Sequence, residues 1–106
     1  MTNPWVILVL AGLFETGWAI GLKYSEGFTR LWPSVLTLIL ALISFVLLAQ
    51  AMRELPVGTA YAVWTGIGTL GTALLAIALF GEPATLVRLA GIFLILAGIA
   101  TLKTAG

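Results

Sequence analysis

The sequence predicts an all-α membrane protein, with four transmembrane helices in a single domain spanning residues 1–106. Hydrophobic residues make up 61% of the chain and charged residues only 8%, whereas soluble domains carry about 25% charged residues. The apolar residues also gather in four runs, each close to the ~20 residues that cross a bilayer as a helix. These runs cover residues 5–22, 32–52, 57–80 and 84–102.

The boundaries of the four runs support helices joined by short connectors. Pro33, Pro56 and Pro83 fall where the second, third and fourth runs begin, a position that suits a residue with no amide proton to donate. Only the first connector, residues 23–30, is polar over any length. Because such connectors are short, we expect consecutive helices to be antiparallel neighbours.

The basic residues give almost no orientation signal. Lys and Arg are biased toward the cytoplasmic ends of membrane helices, but here they divide nearly evenly. One predicted side carries Lys23, Arg30 and Arg88, and the other carries Arg53, Lys103 and the terminal amine. Such a chain can insert either way up. We therefore expect two oppositely inserted copies to pair as a dual-topology, antiparallel homodimer, which supplies the inverted symmetry that many transporters build into one chain.

Glu15 is the charged residue placed deepest in a predicted span. A carboxylate there costs a few kcal/mol or more, and such residues usually mark an ion or proton pathway. Its neighbours three and four residues away on the helix are Ala11, Gly12, Trp18 and Ala19, and because most of these are small, the surrounding face leaves room for a ligand or another helix. The alternative is a protonated glutamic acid that only makes a hydrogen bond between helices.

Aromatic and small residues recur at helical spacing in the third run. Tyr61 and Trp64 can face a cation with a ring or steady a carboxylate with O–H or N–H, although ordinary packing explains them as well. Ser44 is the central polar residue of the second run, and it either supports the site or bonds its own helix's carbonyl four residues back. Gly91 and Gly98 share one face of the fourth helix and predict a dimer contact.

Composition argues against several other functions. Neither Cys nor His occurs, so the commonest zinc and haem ligands are missing, and we expect no cofactor or metal. A net charge of +1 and the lack of a basic stripe argue against nucleic acid. We find no phosphate loop, no nucleophile with a base and no pair of carboxylates within one chain, so we do not expect an enzyme.

The sequence resembles the small multidrug resistance family over nearly its whole length. The resemblance rests on Phe14-Glu15, on residues 23–34 (KYSEGFTRLWPS) and on residues 58–68 (GTAYAVWTGIG). It implies a four-helix, proton-coupled exporter of the bacterial inner membrane that works as an antiparallel dimer. Trp18 makes the chain more similar to the guanidinium exporters of the family than to the exporters of quaternary ammonium ions, which carry a small residue at that position.

The resemblance also implies roles for individual residues. Glu15 corresponds to the shared site for proton and substrate, and the supporting positions are Gly12, Trp18, Ser44, Tyr61 and Trp64. The partners implied are guanidinium or small guanidinyl cations, protons, the lipid bilayer and a second copy of the chain. The main alternative is a multidrug exporter of hydrophobic cations, and a structural membrane subunit with a buried glutamic acid is a third possibility.

Overall fold

The computed structural model describes residues 3–105, and this part of the chain forms four α-helices and no strand. The helices are α1 (Pro4–Tyr24), α2 (Leu31–Ala51), α3 (Val57–Phe80) and α4 (Leu86–Ala105). All four are long and apolar enough to cross a membrane. The predicted all-α architecture with four spanning helices is confirmed.

The ends of the helices follow from local capping. The Asn3 side chain accepts a hydrogen bond of 2.8 Å from the Trp5 amide at the start of α1, and Gly81 closes α3 with a left-handed φ of 65°, which suits a residue without Cβ. α4 begins at Leu86 rather than at residue 84, because the Thr85 hydroxyl accepts from the Arg88 amide at 3.2 Å. Thr85 therefore occupies the N-cap position, which Thr favours.

The first three helices form the packed part of the molecule. α1 lies against both α2 and α3, while α2 and α3 touch each other only over a short stretch. The core residues are Leu8, Ala11, Leu48, Ala51, Ala60, Val63 and Trp64. Several of these are small, which lets membrane helices approach closely.

The backbone of α4 approaches α3 closely and no other described helix, and the Lys103 Nζ atom near its end lies 5.7 Å from the centroid of the Trp5 ring of α1. Ile99 of α4 packs onto Gly66, where an added Cβ would lie 2.8 Å from the Ile99 Cδ1 atom. None of the α4 residues is buried. Gly91 and Gly98 are exposed, and an added Cβ at either position would meet nothing within 4 Å.

Candidate functional site

Glu15 lies in the middle of α1 and points at a glycine of α3. A methyl group at Gly68 would overlap the Glu15 carboxyl group, so the absence of a side chain at Gly68 is what admits the carboxyl group. The Oε1 atom of Glu15 is buried and has no hydrogen-bond partner among the described residues. Buried polar atoms nearly always have a hydrogen-bond partner, so an unpaired one calls for an explanation. The Oε1 atom is available to a proton, a cation or a group from another chain.

Thr16 fixes the register between α1 and α3 beside the carboxylate. Its buried hydroxyl lies 3.2 Å from the Gly12 carbonyl oxygen and 3.3 Å from the Gly68 carbonyl oxygen. The helices approach closely here, since an added Cβ at Gly12 would lie 2.6 Å from the Ile67 Cγ2 atom. Gly12 thus makes room for α3, not for a ligand inside the chain. Sequence reasoning missed Thr16, whose only signal was its place next to Glu15.

A groove opens from Glu15 along α3. Its volume is about 360 Å³, many times the ~30 Å³ that one water occupies in the liquid. The lining residues are Glu15, Ala19, Gly68, Thr69, Thr72, Ala73, Ala76 and Glu82. The turn after α3 returns Glu82 to the groove that Glu15 lines, at the end of α3 and away from mid-span.

Ser44 connects three helices. Its hydroxyl donates to the Ala11 carbonyl oxygen of α1 at 2.7 Å and accepts from the Trp64 indole nitrogen of α3 at 2.9 Å. The alternative in which Ser44 bonds its own helix is therefore wrong, because the small side chain of Ala11 allows α1 close enough to offer its carbonyl instead. Ser44 and Trp64 are both buried, so their bond holds the packing beside Glu15.

Four aromatic rings run across the same region. The ring centroids lie 6.1 Å apart between Trp18 and Phe45, 5.9 Å between Phe45 and Trp64, and 5.5 Å between Trp64 and Tyr61. Trp18 has a buried indole nitrogen without a partner in the described chain. Tyr61 is 56% exposed. Sequence reasoning missed Phe45, which no polar group or spacing distinguishes from the other apolar residues of α2.

The site residues predicted from the sequence lie in two separate regions, one around Glu15 and one on α4. Gly12, Glu15 and Trp18 share α1, and Ser44, Tyr61 and Trp64 join them through the hydrogen bonds and ring contacts above. None of these side chains bonds the Glu15 Oε1 atom. Gly91 and Gly98 lie apart on α4. Among residues 3–105, no three side chains of His, Cys, Asp or Glu come together to hold a metal.

Comparison with known proteins identifies the family. The family model described as Small Multidrug Resistance protein matches residues 3–95. The chain belongs to this family. It is 62% identical to a guanidinium exporter of Yersinia pseudotuberculosis, over 96% of this chain and 98% of the relative. It is also 59% identical to a guanidinium exporter of Escherichia coli (strain K12) and 57% identical to one of Citrobacter freundii, each over 93% of this chain and 94% of the relative.

These matches confirm the family resemblance and the class of protein. The relatives are exporters, so this member of the small multidrug resistance family is a transport protein and not an enzyme. With four apolar spans and relatives that are bacterial exporters, it is a multi-pass protein of the bacterial inner membrane.

Proposed function

We propose that this protein exports guanidinium in exchange for protons, and that Glu15 binds both. The observation that carries the proposal is the Glu15 Oε1 atom, buried in the middle of a span, without a partner in the part of the chain that the structure describes, and beside a groove. A carboxylate so placed is costly in a membrane and usually functional. The substrate class comes from relatives at 57–62% identity whose names are guanidinium exporter.

The chemistry of guanidinium suits this site. The cation is planar and presents its N–H donors in a fixed fork, which carboxylates accept in a bidentate manner. A protonated carboxyl group has lost the negative charge that attracts the cation, so proton and guanidinium exclude each other. If only an occupied site changes the side to which it opens, proton influx drives guanidinium efflux.

The functional unit in this proposal is an antiparallel homodimer, in which the Glu15 residues of two copies form one site. The nearly even division of Lys and Arg supports opposite insertion of the two copies. The uncovered face of α4 around Gly91 and Gly98 supports a contact with another helix, because small residues let membrane helices pack closely. Two carboxylates clamp one planar cation better than one.

The surrounding residues support the carboxylates in different ways. The unpartnered indole N–H of Trp18 lies one turn from Glu15 and is free to orient an ionised carboxylate. Ser44 and Trp64 bond each other, so in this state they hold the wall of the site in place and do not bind the carboxylate. Tyr61 is exposed and can reach a second copy.

The test is coupled transport in liposomes. With guanidinium supplied on one side, the wild type should move protons in the opposite direction, and Glu15→Gln should abolish this flux because an amide neither ionises nor takes up a proton. Glu54→Gln is the matched control, since Glu54 is exposed in the turn after α2, and it should leave the flux unchanged. Coupled transport retained by Glu15→Gln would overturn the proposal.

The apolar part of the groove favours one alternative. Ala19, Ala73 and Ala76 contribute methyl groups and no acceptor to its wall, which suits the alkyl chains of quaternary ammonium ions. A multidrug exporter of this kind predicts that tetrapropylammonium outcompetes guanidinium in the same liposome assay. Guanidinium export predicts the opposite order.

A further inference from the structure

Glu82 is the second carboxylate on the groove that Glu15 lines. It follows Gly81, whose left-handed backbone ends α3 and turns the chain back. Glu82 and Glu15 are the charged residues among the eight that line the groove. Glu15 lies at mid-span and Glu82 at the end of α3, so we place Glu82 at the mouth of the groove.

The Arg88 side chain forms an ion pair with the Glu82 carboxylate. Its Nη2 atom lies 2.9 Å from the Glu82 Oε1 atom, and both side chains are about 40% exposed, at 37% for Arg88 and 44% for Glu82. The terminal group of an arginine side chain is itself a guanidinium, with the same plane and the same forked donors as the free cation. A free guanidinium ion can therefore make the bond that Arg88 makes.

The groove between the two carboxylates follows α3. Gly68, Thr72 and Ala76 mark one face of α3 over eight residues, or about 12 Å at 1.5 Å per residue. Thr69 and Thr72 line that stretch, and a threonine hydroxyl can accept an N–H donor. A cation that leaves Glu82 thus passes two threonines before it reaches Glu15.

We propose that Glu82 is an entrance site for guanidinium at the mouth of the groove, where the substrate displaces the side chain of Arg88. This inference rests on the proposed function, guanidinium export. The Arg88 guanidinium competes with the substrate for the Glu82 carboxylate and pairs with it when no substrate is bound. The two carboxylates act in sequence, with Glu82 collecting the cation and Glu15 exchanging it for protons.

The other charges at this end of the molecule do not line the groove. Lys23 lies over the Phe80 ring, with its Nζ atom 5.8 Å from the centroid. Glu26 and Arg30 form an exposed pair at 3.7 Å in the connector after α1. Because α1 and α3 run in the same direction, that connector lies on the same side of the membrane as Glu82. The Glu26–Arg30 pair therefore serves as a control of the same chemistry.

The experiment measures the KM for guanidinium in proton-coupled transport by liposomes. Arg88→Gln removes the competitor, and we expect the KM to fall about two- to fivefold, the factor that fits a contact between exposed charges. Glu82→Gln removes the acceptor, and the KM should rise by about the same factor. The rate at saturating guanidinium should change less than twofold in both. Misfolding does not lower a KM, so the Arg88→Gln result cannot come from damage.

The double variant Glu82→Gln/Arg88→Gln distinguishes two effects of removing Arg88. One is the release of the Glu82 carboxylate, and the other is the general loss of a positive charge near the groove. If Arg88 acts by occupying Glu82, its removal should give no gain once Glu82 is neutral, and the two effects should not add. Arg30→Gln should leave the KM unchanged. The entrance site is overturned if Arg88→Gln leaves the KM unchanged, if it lowers the KM equally in the Glu82→Gln background, or if Arg30→Gln lowers it as much. Absence of transport by the wild type is a separate result, which overturns the proposed function and the entrance site with it.

Discussion

Three glycines of α3 pack against neighbouring side chains and two glycines of α4 do not, although the two helices have similar patterns of small residues in the sequence. An added Cβ at Gly66, Gly68 or Gly71 of α3 would collide with a neighbouring side chain, whereas at Gly91 or Gly98 of α4 it would meet nothing within 4 Å. The α3 glycines are used inside the chain, to admit Glu15, Thr16 and Ile99. An added Cβ at the α4 glycines has no neighbour within 4 Å among residues 3–105, which supports their proposed use in the dimer. One residue type thus occurs both at the candidate site and at the proposed association surface.

The largest effect should come from filling the space beside the carboxylate. Gly68→Ala places a methyl group where the Glu15 carboxyl group lies, and overpacking of this kind costs about 1–3 kcal/mol. We expect guanidinium transport to fall roughly tenfold or more, as 1.4 kcal/mol corresponds to a factor of ten. The measurement is the initial rate of coupled transport in liposomes.

Gly58→Ala is the control for that variant, because it makes the same change in the same helix at a position with open space around it. It should transport like the wild type. If Gly68→Ala also transports normally, the packing of Glu15 against α3 is not what shapes the site.

An intermediate effect should appear when the exposed glycine face of α4 is filled. Gly91→Leu should leave the fold of one chain intact, since nothing lies near Gly91, but it should weaken the proposed dimer roughly tenfold by preventing close helix packing. The dimer fraction can be measured by energy transfer between labelled copies in liposomes. Ala90→Leu is the control, about 100° round the helix axis and equally classed as exposed. Equal weakening by both variants would remove Gly91 from the contact.

The smallest effect on transport should come from the hydrogen bond that joins α2 to α3, because this bond lies in the packing and not at the carboxylate. Ser44→Ala leaves the Trp64 indole N–H and the Ala11 carbonyl without this partner, and we expect a loss of about 1–3 kcal/mol in the free energy of unfolding in detergent. Trp64→Phe should cost about the same, and the double variant should cost less than the sum. Ser34→Ala is the control on the same helix, because Ser34 bonds only its own helix's backbone, and it should cost a few tenths of a kcal/mol. Full additivity would show that the Ser44–Trp64 bond contributes nothing.

The sequence predicted the local features well and the contacts between helices poorly. Hydropathy and proline positions gave the four helices, because membrane length and a missing amide proton act on each segment separately. The depth of Glu15 was also evident, since a charge in an apolar run needs no partner to be noticed. By contrast, Thr16, Phe45 and Glu82 became visible only when the helices were assembled, because their roles depend on residues from other helices.

Ser44 shows the same limit of prediction from sequence for a residue that was noticed. Its polarity in an apolar helix was clear, but its acceptor is Ala11 of another helix, which no spacing along the chain could indicate. The position where α4 begins depended likewise on whether the Thr85 hydroxyl turned back to cap the helix.

The central claim is that proton and guanidinium compete for Glu15, and proton release on binding tests it most directly. Guanidinium at low concentration is added to purified protein in weakly buffered detergent, and the pH is followed with a dye while binding is measured in parallel. We predict that the wild type releases protons in proportion to the guanidinium bound, up to saturation, and that Glu15→Gln releases none. Guanidinium bound by the wild type without proton release would contradict the account.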